Sequence, residues 1–255
     1  MQETQPEEDK QKKNATIRRS DLGGLELREV SFRYPDKEID TLNKINLTIE
    51  EGEKVAILGR NGSGKTTLIK LATGLFSATD GLVLYDGVDA KQIHSDDLSR
   101  SIGIVLQDVQ LFSGSIIENI TMGREGISQD EIIAASKISG LDDFLGKMPG
   151  GYELILQDKG NGLSGGQKQA IAITRAIVHK PSHFILDEPT SAMDMNSEQQ
   201  FIENFKTVAS DATVLLVSHR LPLLNLVDRV IVMNEGKIVE DGPKDDVLNK
   251  LQPNN

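Results

Sequence analysis

The chain contains no cysteine. That excludes a disulfide framework and any thiolate metal site, and it fits a reducing compartment. Long apolar runs are missing as well. Nothing reaches the 18 or so consecutive apolar residues of a membrane-spanning helix, and the first residues lack the apolar core of a signal peptide. Positive charge is in deficit: 28 Lys and Arg stand against 39 Asp and Glu, a net charge of −11. This argues against general nucleic-acid binding, which needs a basic surface. His94, His179, His183 and His219 show no metal-site spacing. The chain has no internal repeat and no heptad run.

What is present is ordinary in bulk and specific in places. With 255 residues the chain can bury one large core or two small ones. Residues 1–22 are rich in Glu, Gln and Lys and nearly free of apolar side chains, which predicts a disordered tail or linker. From Leu25 the pattern alternates to Tyr34, and again from Leu42 to Ile49, as half-buried strands do. Leu82–Tyr85 reads as a further strand and Ile102–Leu106 as a buried one ending at Gln107. Ser115–Leu145 reads as short helices without an intervening strand. Two of them open on capping boxes, Ser115 with Glu118 and Ser128 with Glu131. Helix is predicted over Ser164–His179, Ser197–Val208 and about Lys244–Leu251. Strands are predicted at His183–Leu186 and Thr213–Val217, with a hairpin over Arg229–Met233 and Lys237–Val239. Alternation of this kind implies parallel strands with helical crossovers. The fold class expected is α/β: a P-loop core with a parallel sheet, an N-terminal antiparallel β subdomain and an α-helical subdomain inserted at about 108–168.

The stretch around which the rest is organised is Gly59-Arg60-Asn61-Gly62-Ser63-Gly64-Lys65-Thr66. It is the G-x-x-x-x-G-K-[ST] phosphate loop. The buried strand Lys54–Leu58 precedes it and the helical pattern Thr67–Ala72 follows, so the loop lies at a helix N-terminus. Gly62 and Gly64 let backbone N–H groups turn inward, where the helix dipole assists them in holding an anion. Lys65 adds a point charge for the terminal phosphates, and Thr66 offers a hydroxyl to Mg²⁺. Nucleotide binding follows; which nucleotide, and to what end, does not.

Phe184-Ile185-Leu186-Asp187-Glu188 runs a buried strand into two carboxylates. In P-loop ATPases an Asp at such a strand end orders the Mg²⁺ shell, and the next acid can polarise an attacking water. A plain acidic strand end gives the same string. Upstream, Leu163-Ser164-Gly165-Gly166-Gln167 opens a helix with Ser164 as natural N-cap. Its glycines expose N–H groups, making a second potential phosphate site. Two such cradles about a hundred residues apart make sense if each completes a site on another subunit.

With these motifs, in this order, the sequence resembles the ATP-binding cassette family over about residues 24–250. In that family two cassettes pair head to tail, and the phosphate loop of one and the LSGGQ of the other sandwich each ATP. The resemblance implies that Gly59, Asn61, Gly62, Ser63, Gly64, Lys65, Thr66 and Thr67 bind ATP in one chain. Ser164, Gly165, Gly166 and Gln167 would bind it from the partner. It implies that Tyr34, in Phe32-Arg33-Tyr34-Pro35, stacks on adenine, and that Thr66, Gln107 and Asp187 hold Mg²⁺. Glu188 would be the catalytic base, His219 the switch residue on the γ-phosphate, and Ser191-Ala192-Met193-Asp194 the loop that crosses the dimer interface. Gln107 would also sense a transmembrane partner.

Leu111-Phe112-Ser113-Gly114-Ser115-Ile116-Ile117-Glu118-Asn119-Ile120 resembles exporters, in which this stretch faces the membrane domain. Ser191–Asp194, Val217–Arg220 and Leu223–Arg229 resemble the cassettes of bacterial type I secretion exporters, which move proteins or peptides out in one step. Gln157-Asp158-Lys159-Gly160 departs from the Gly-Glu-Arg-Gly-like loop usual there. The function implied is a Mg²⁺-dependent ATPase driving export. Its partners would be a second cassette, a transmembrane domain and, indirectly, the exported protein or peptide, at the cytoplasmic side of the bacterial inner membrane. The alternatives are the ATPase subunit of another transporter, such as an importer, and a soluble cassette protein. The linker-like residues 1–22 favour the exporter.

Overall fold

The structure, a computed structural model, describes residues 23–157 and 160–251. The expected tail at 1–22, together with Asp158 and Lys159, lies outside the described residues.

Strands β1 (Leu25–Phe32), β2 (Leu42–Ile49) and β3 (Lys54–Gly59) lead into helix α1 (Lys65–Ala72). Next come β4 (Asp80–Tyr85), β5 (Val88–Asp89), α2 (Ser95–Ser101) and β6 (Ile102–Val105). The middle of the chain holds β7 (Gly114–Ser115), α3 (Ile116–Thr121), α4 (Gln129–Ser139), α5 (Leu141–Leu145) and β8 (Ile155–Leu156). Then follow α6 (Gly165–Ile177), β9 (His183–Asp187), α7 (Met195–Val208), β10 (Thr213–Val217), β11 (Arg229–Asn234), β12 (Lys237–Pro243) and α8 (Lys244–Leu251).

β1, β2, β4 and β5 form an antiparallel sheet in the order β2-β1-β4-β5. Leu25, Leu27 and Val30 all face its core, although strict alternation would turn Val30 outward. A bulge corrects this: Glu29 takes φ 52° and the β1–β2 register shifts between Leu27 and Val30. One extra residue restores Val30 to the buried face.

The central sheet has the order β12-β11-β3-β10-β9-β6. All neighbours but the β11–β12 hairpin are parallel. Its inner strands β3, β9 and β10 are covered on both faces, so they read as apolar runs. Phe184 and Leu186 of β9 pack with α6 and α7, while Ile185 between them packs toward α1 and the antiparallel sheet. This is the period-two alternation of a strand. The register then positions the site. Val217 lies beside Asp187 on one side and Ile57 on the other. The carboxyl ends of β3, β9 and β10 therefore open at one level, where ligands bind in open parallel sheets.

Both predicted capping boxes are present, on α3 and α4, and a third, Ser164 with Gln167, opens α6. Several features differ from the sequence reading, among them the two-residue strand β5, which was not predicted. α2 was not predicted, because Ser-Asp-Asp-Leu-Ser-Arg-Ser buries only Leu98 and Ser101 and carries no apolar stripe. β7 and β8 pair antiparallel at the edge of the helical region, and two residues are too short for a period. β12 runs on to Pro243 because it pairs β11 along its full length.

Gly103 holds β6 against α6. A Cβ there would strike the Ala176 carbonyl and come within 2.8 Å of Pro181 Cγ. Gly103→Ala is therefore expected to destabilise the chain by about 1–3 kcal/mol. Urea unfolding checks this: the midpoint should fall, and an unchanged midpoint would show that β6 and α6 have slack.

Candidate active site

The phosphate loop joins β3 to α1 along a path that needs glycine. Gly64 has φ 104°, and a Cβ on it would lie 2.6 Å from Leu42 Cδ2 and 3.2 Å from the Thr41 carbonyl. Lys65 is buried, and its Nζ donates to the carbonyls of Gly59 at 2.7 Å and Arg60 at 3.0 Å. Burial pushes its pKa below the ordinary lysine value, while the charges of Asp187 and Glu188 act the other way. Ser63 Oγ is buried and finds no hydrogen-bond partner among the described residues. Ser63 does not line the cavity that its neighbours Gly62 and Gly64 line.

Asp187 ends β9 and is 1% exposed. Burial raises its pKa and the nearby Glu188 adds to the shift; the Thr66 hydrogen bond and the Lys65 charge oppose it. Thr66 Oγ1 donates to Asp187 Oδ2 at 2.9 Å. Glu188 follows in the left-handed region at φ 49°. Its Oε2 accepts from Ser218 Oγ at 3.0 Å and its Oε1 from the His219 backbone N–H at 3.1 Å. His219 Nε2 lies 3.9 Å from the same Oε1. A cavity of about 360 Å³ brings together Asn61, Gly62, Gly64, Lys65, Thr66, Thr67, Gln107, Asp187, Glu188 and His219. Tyr34 stands beside it. Its hydroxyl is 3.1 Å from Thr67 Oγ1, and its ring meets Phe32 and Phe76 edge-on, with centroids at 5.0 and 5.8 Å.

The other predicted residues lie elsewhere in the chain. Ser164 caps α6, its Oγ accepting from Gln167 N–H at 3.2 Å while Gln167 Oε1 accepts from Ser164 N–H at 2.8 Å. Gly165 and Gly166 are pressed against residue 192: a Cβ on either would lie 3.1 or 3.0 Å from Ala192 atoms. Asp194 caps α7, accepting from the N–H groups of Asn196 and Ser197, both at 3.0 Å. Those hydrogen bonds hold its pKa below the ordinary value. Ser164, Gly165, Gly166, Gln167 and Asp194 share a second cavity of about 620 Å³. Among the described residues none lines both cavities. A larger cavity of about 690 Å³, beside Asp96, Arg100 and Glu131, contains none of the predicted residues.

Sequence reasoning gave no role to Ser218, which supports Glu188, nor to Gln169, which reaches the Glu188 backbone. Ser218 stood inside the quoted Val217–Arg220 stretch, so adjacency to His219 was the available signal. Gln169 had none beyond its nearness to the Gly165-Gly166 pair.

Comparison with known proteins gives a consistent result. A model of the ABC transporter family matches residues 42–191. The cyclolysin secretion/processing ATP-binding protein CyaB of Bordetella pertussis is 42% identical over 226 residues, which is 89% of this chain and 32% of that protein. The alpha-hemolysin translocation ATP-binding protein HlyB of Escherichia coli is 42% identical over 229 residues, with the same coverage of 89% and 32%. The chain thus spans about a third of the length of these curated relatives. A bacterial Atm1-family ABC exporter with ATP bound superimposes with a TM-score of 0.85 at 32% identity, over 95% of this chain and 43% of that one.

The raised pKa of Asp187 yields a stability prediction. A carboxylate shifted upward supports the fold most when protonated, and that support is lost as pH rises through the shifted value. Asp187→Asn keeps an acceptor for Thr66 but removes the buried charge. Without nucleotide at neutral pH it should be more stable than the unaltered chain by on the order of 1 kcal/mol. The gain should shrink as pH falls toward the ordinary aspartate value of 3.8. Denaturant titrations across pH measure this, and a variant less stable at neutral pH would refute it.

Proposed function

The chain belongs to the ABC transporter family, and from that premise we propose that it is the ATP-hydrolysing motor of a bacterial type I secretion exporter for a protein or peptide. The observation that carries the chemistry is the single cavity holding Lys65, Thr66, Gln107, Asp187, Glu188 and His219. The exporter assignment is supported by the names of CyaB and HlyB, a secretion and a translocation protein respectively. No helix among the described residues is long and apolar enough to cross a membrane. As part of the exporter reading, the motor would work against a transmembrane domain, at the cytoplasmic face of the inner membrane. Residues 23–255 would form the cassette, with about 108–168 as its helical insert and 1–22 as the linker.

The residues divide the work of phosphoryl transfer as follows. Backbone N–H groups of the loop and the N-terminus of α1 receive the phosphates. Lys65 exchanges its contacts with the Gly59 and Arg60 carbonyls for anionic oxygens, which bind an ammonium more strongly. Tyr34 stacks on the adenine. Glu188, held by Ser218 and the His219 N–H, orients water and takes its proton as the new P–O bond forms and the β–γ bridge breaks to ADP. His219 braces the γ-phosphate.

Thr66 and Asp187 already stand 2.9 Å apart, with Gln107 in the same cavity. Hydroxyl, carboxylate and amide oxygens suit a small hard cation. Mg²⁺ shares its coordination with substrate phosphates and water, so these three side chains would be enough to place it. Bound there, Mg²⁺ would supply neutralisation of the phosphate charge. The second cavity, at the LSGGQ signature segment Leu163–Gln167, is separate in one chain and would close over nucleotide on a second cassette arranged head to tail, with Asp194 and its loop at the junction.

Two outcomes follow. ATPase activity of the isolated chain should be weak and rise more than linearly with protein concentration; strict proportionality in a proven monomer contradicts the shared site. Glu188→Gln should keep ATP binding, lose turnover by a factor on the order of 10² or more, and accumulate as an ATP-dependent dimer in size-exclusion chromatography. Turnover at the original rate in that variant would remove Glu188 from the role of base.

A further inference from the structure

We propose that Gln169 is a positioning residue for Glu188, fastening the hydrolytic carboxylate to the helix that meets the partner's nucleotide. The proposal rests on the function assigned above to Glu188 and to the Ser164–Gln167 segment.

Gln169 lies five residues beyond Ser164 on the inner face of α6 and is 2% exposed. Its amide is spent entirely on the 188–192 segment. Nε2 donates to the Glu188 carbonyl at 3.0 Å and to Ser191 Oγ at 3.2 Å. Oε1 accepts from the Ala192 N–H at 2.9 Å. Both N–H donors and one oxygen lone pair are thus used. A buried amide is costly unless it is satisfied, and this one is satisfied by the two loops that the reaction needs.

The bond to Glu188 has a specific consequence. A non-glycine residue at φ 49° is disfavoured by on the order of 1 kcal/mol and persists only where its surroundings hold it. Glu188 is held on both sides. Its N–H donates to the Val217 carbonyl at 2.8 Å, and its own carbonyl accepts from Gln169. Those two bonds fix the peptide planes from which the side chain reaches Ser218 and the His219 N–H.

The far end of the same loop is tied as well. Arg220 donates to the Thr190 carbonyl and pairs with the buried Glu198 at 3.2 Å. Its N–H donates to the Ser218 hydroxyl that supports Glu188. Gly165 and Gly166 leave no space between the start of α6 and Ala192. A displacement of the signature segment therefore reaches Glu188 through Gln169, and closure over one nucleotide bears on hydrolysis of the other.

The test compares Gln169→Met and Gln169→Glu with the unaltered full chain. The first keeps volume and removes every hydrogen bond; the second keeps the acceptor for Ala192 and removes the donors. Losing a buried hydrogen bond to the backbone of a catalytic group should lower kcat about tenfold in each variant. KM should change by less than about twofold, and bound ATP per chain, measured by equilibrium dialysis, should be unchanged. An unaltered kcat in either variant overturns the proposal. So does a kcat loss matched by an equal loss of bound ATP, which marks a folding defect. Glu188→Gln, run in parallel, separates the two levels. If it turns over normally, the assignment of the base and this proposal both fall. If it is inactive while the Gln169 variants are not, this proposal alone falls.

Discussion

Three charged groups meet in one cavity where β3 and β9 end: the Lys65 ammonium and the carboxylates of Asp187 and Glu188. Lys65 and Asp187 are buried, and each has its pKa moved toward neutrality by that burial. Like-charged neighbours out of water are tolerated only where fixed dipoles and counter-charges surround them. Here the stabilising partners are few: the Thr66 hydroxyl for Asp187, the Ser218 hydroxyl and His219 N–H for Glu188, and the Lys65 ammonium, itself held by two loop carbonyls. The arrangement is costly for an empty chain. On the proposed function, the remaining charges would arrive with the nucleotide and its cation.

The rest of the fold maintains that arrangement. Pairing of β3, β10 and β9 in register sets Ile57, Val217 and Asp187 side by side, so loop, switch and carboxylates emerge together. Apolar packing on both faces of the sheet prevents the strands from sliding. The signature segment is positioned by other means, a capping box at Ser164 and close glycine contacts with Ala192. It opens onto its own cavity. One chain thus carries two cavities with no described lining residue in common, which on the proposed function are two half-sites, and hydrogen bonds through Gln169, Ser218 and Arg220 run between the segments that line them.

The parts of this structure legible in the sequence were those whose signal is local. The phosphate loop, the apolar run into Asp187 and the Ser115 and Ser128 capping boxes each lie within a few consecutive residues. Buried parallel strands are apolar on both faces, so β3, β9 and β10 stood out. α2 did not, because a helix burying only Leu98 and Ser101 shows no stripe. The bulge at Glu29 was silent too, since it depends on pairing with β2. The supporting shell was least visible. Gln169 and Glu188 are 19 residues apart, Ser218 and Glu188 30 apart, and nothing in one chain's sequence announces that a polar side chain will be buried against a distant backbone. The family resemblance supplied the groups proposed to touch nucleotide; the structure shows which side chains hold Glu188 among them.

Because the chain has no native cysteine, two introduced thiols can report directly on whether the site is shared. Asn61 stands in the phosphate loop and Ser164 at the signature cap, in separate cavities of one chain. The decisive measurement oxidises the double variant Asn61→Cys, Ser164→Cys in the Glu188→Gln background, with and without ATP, and reads the products on a non-reducing gel. The account predicts a disulfide-linked dimer that forms with ATP and is absent from either single-cysteine control. A chain that stays monomeric with ATP bound, or that links the two positions within itself, would contradict it.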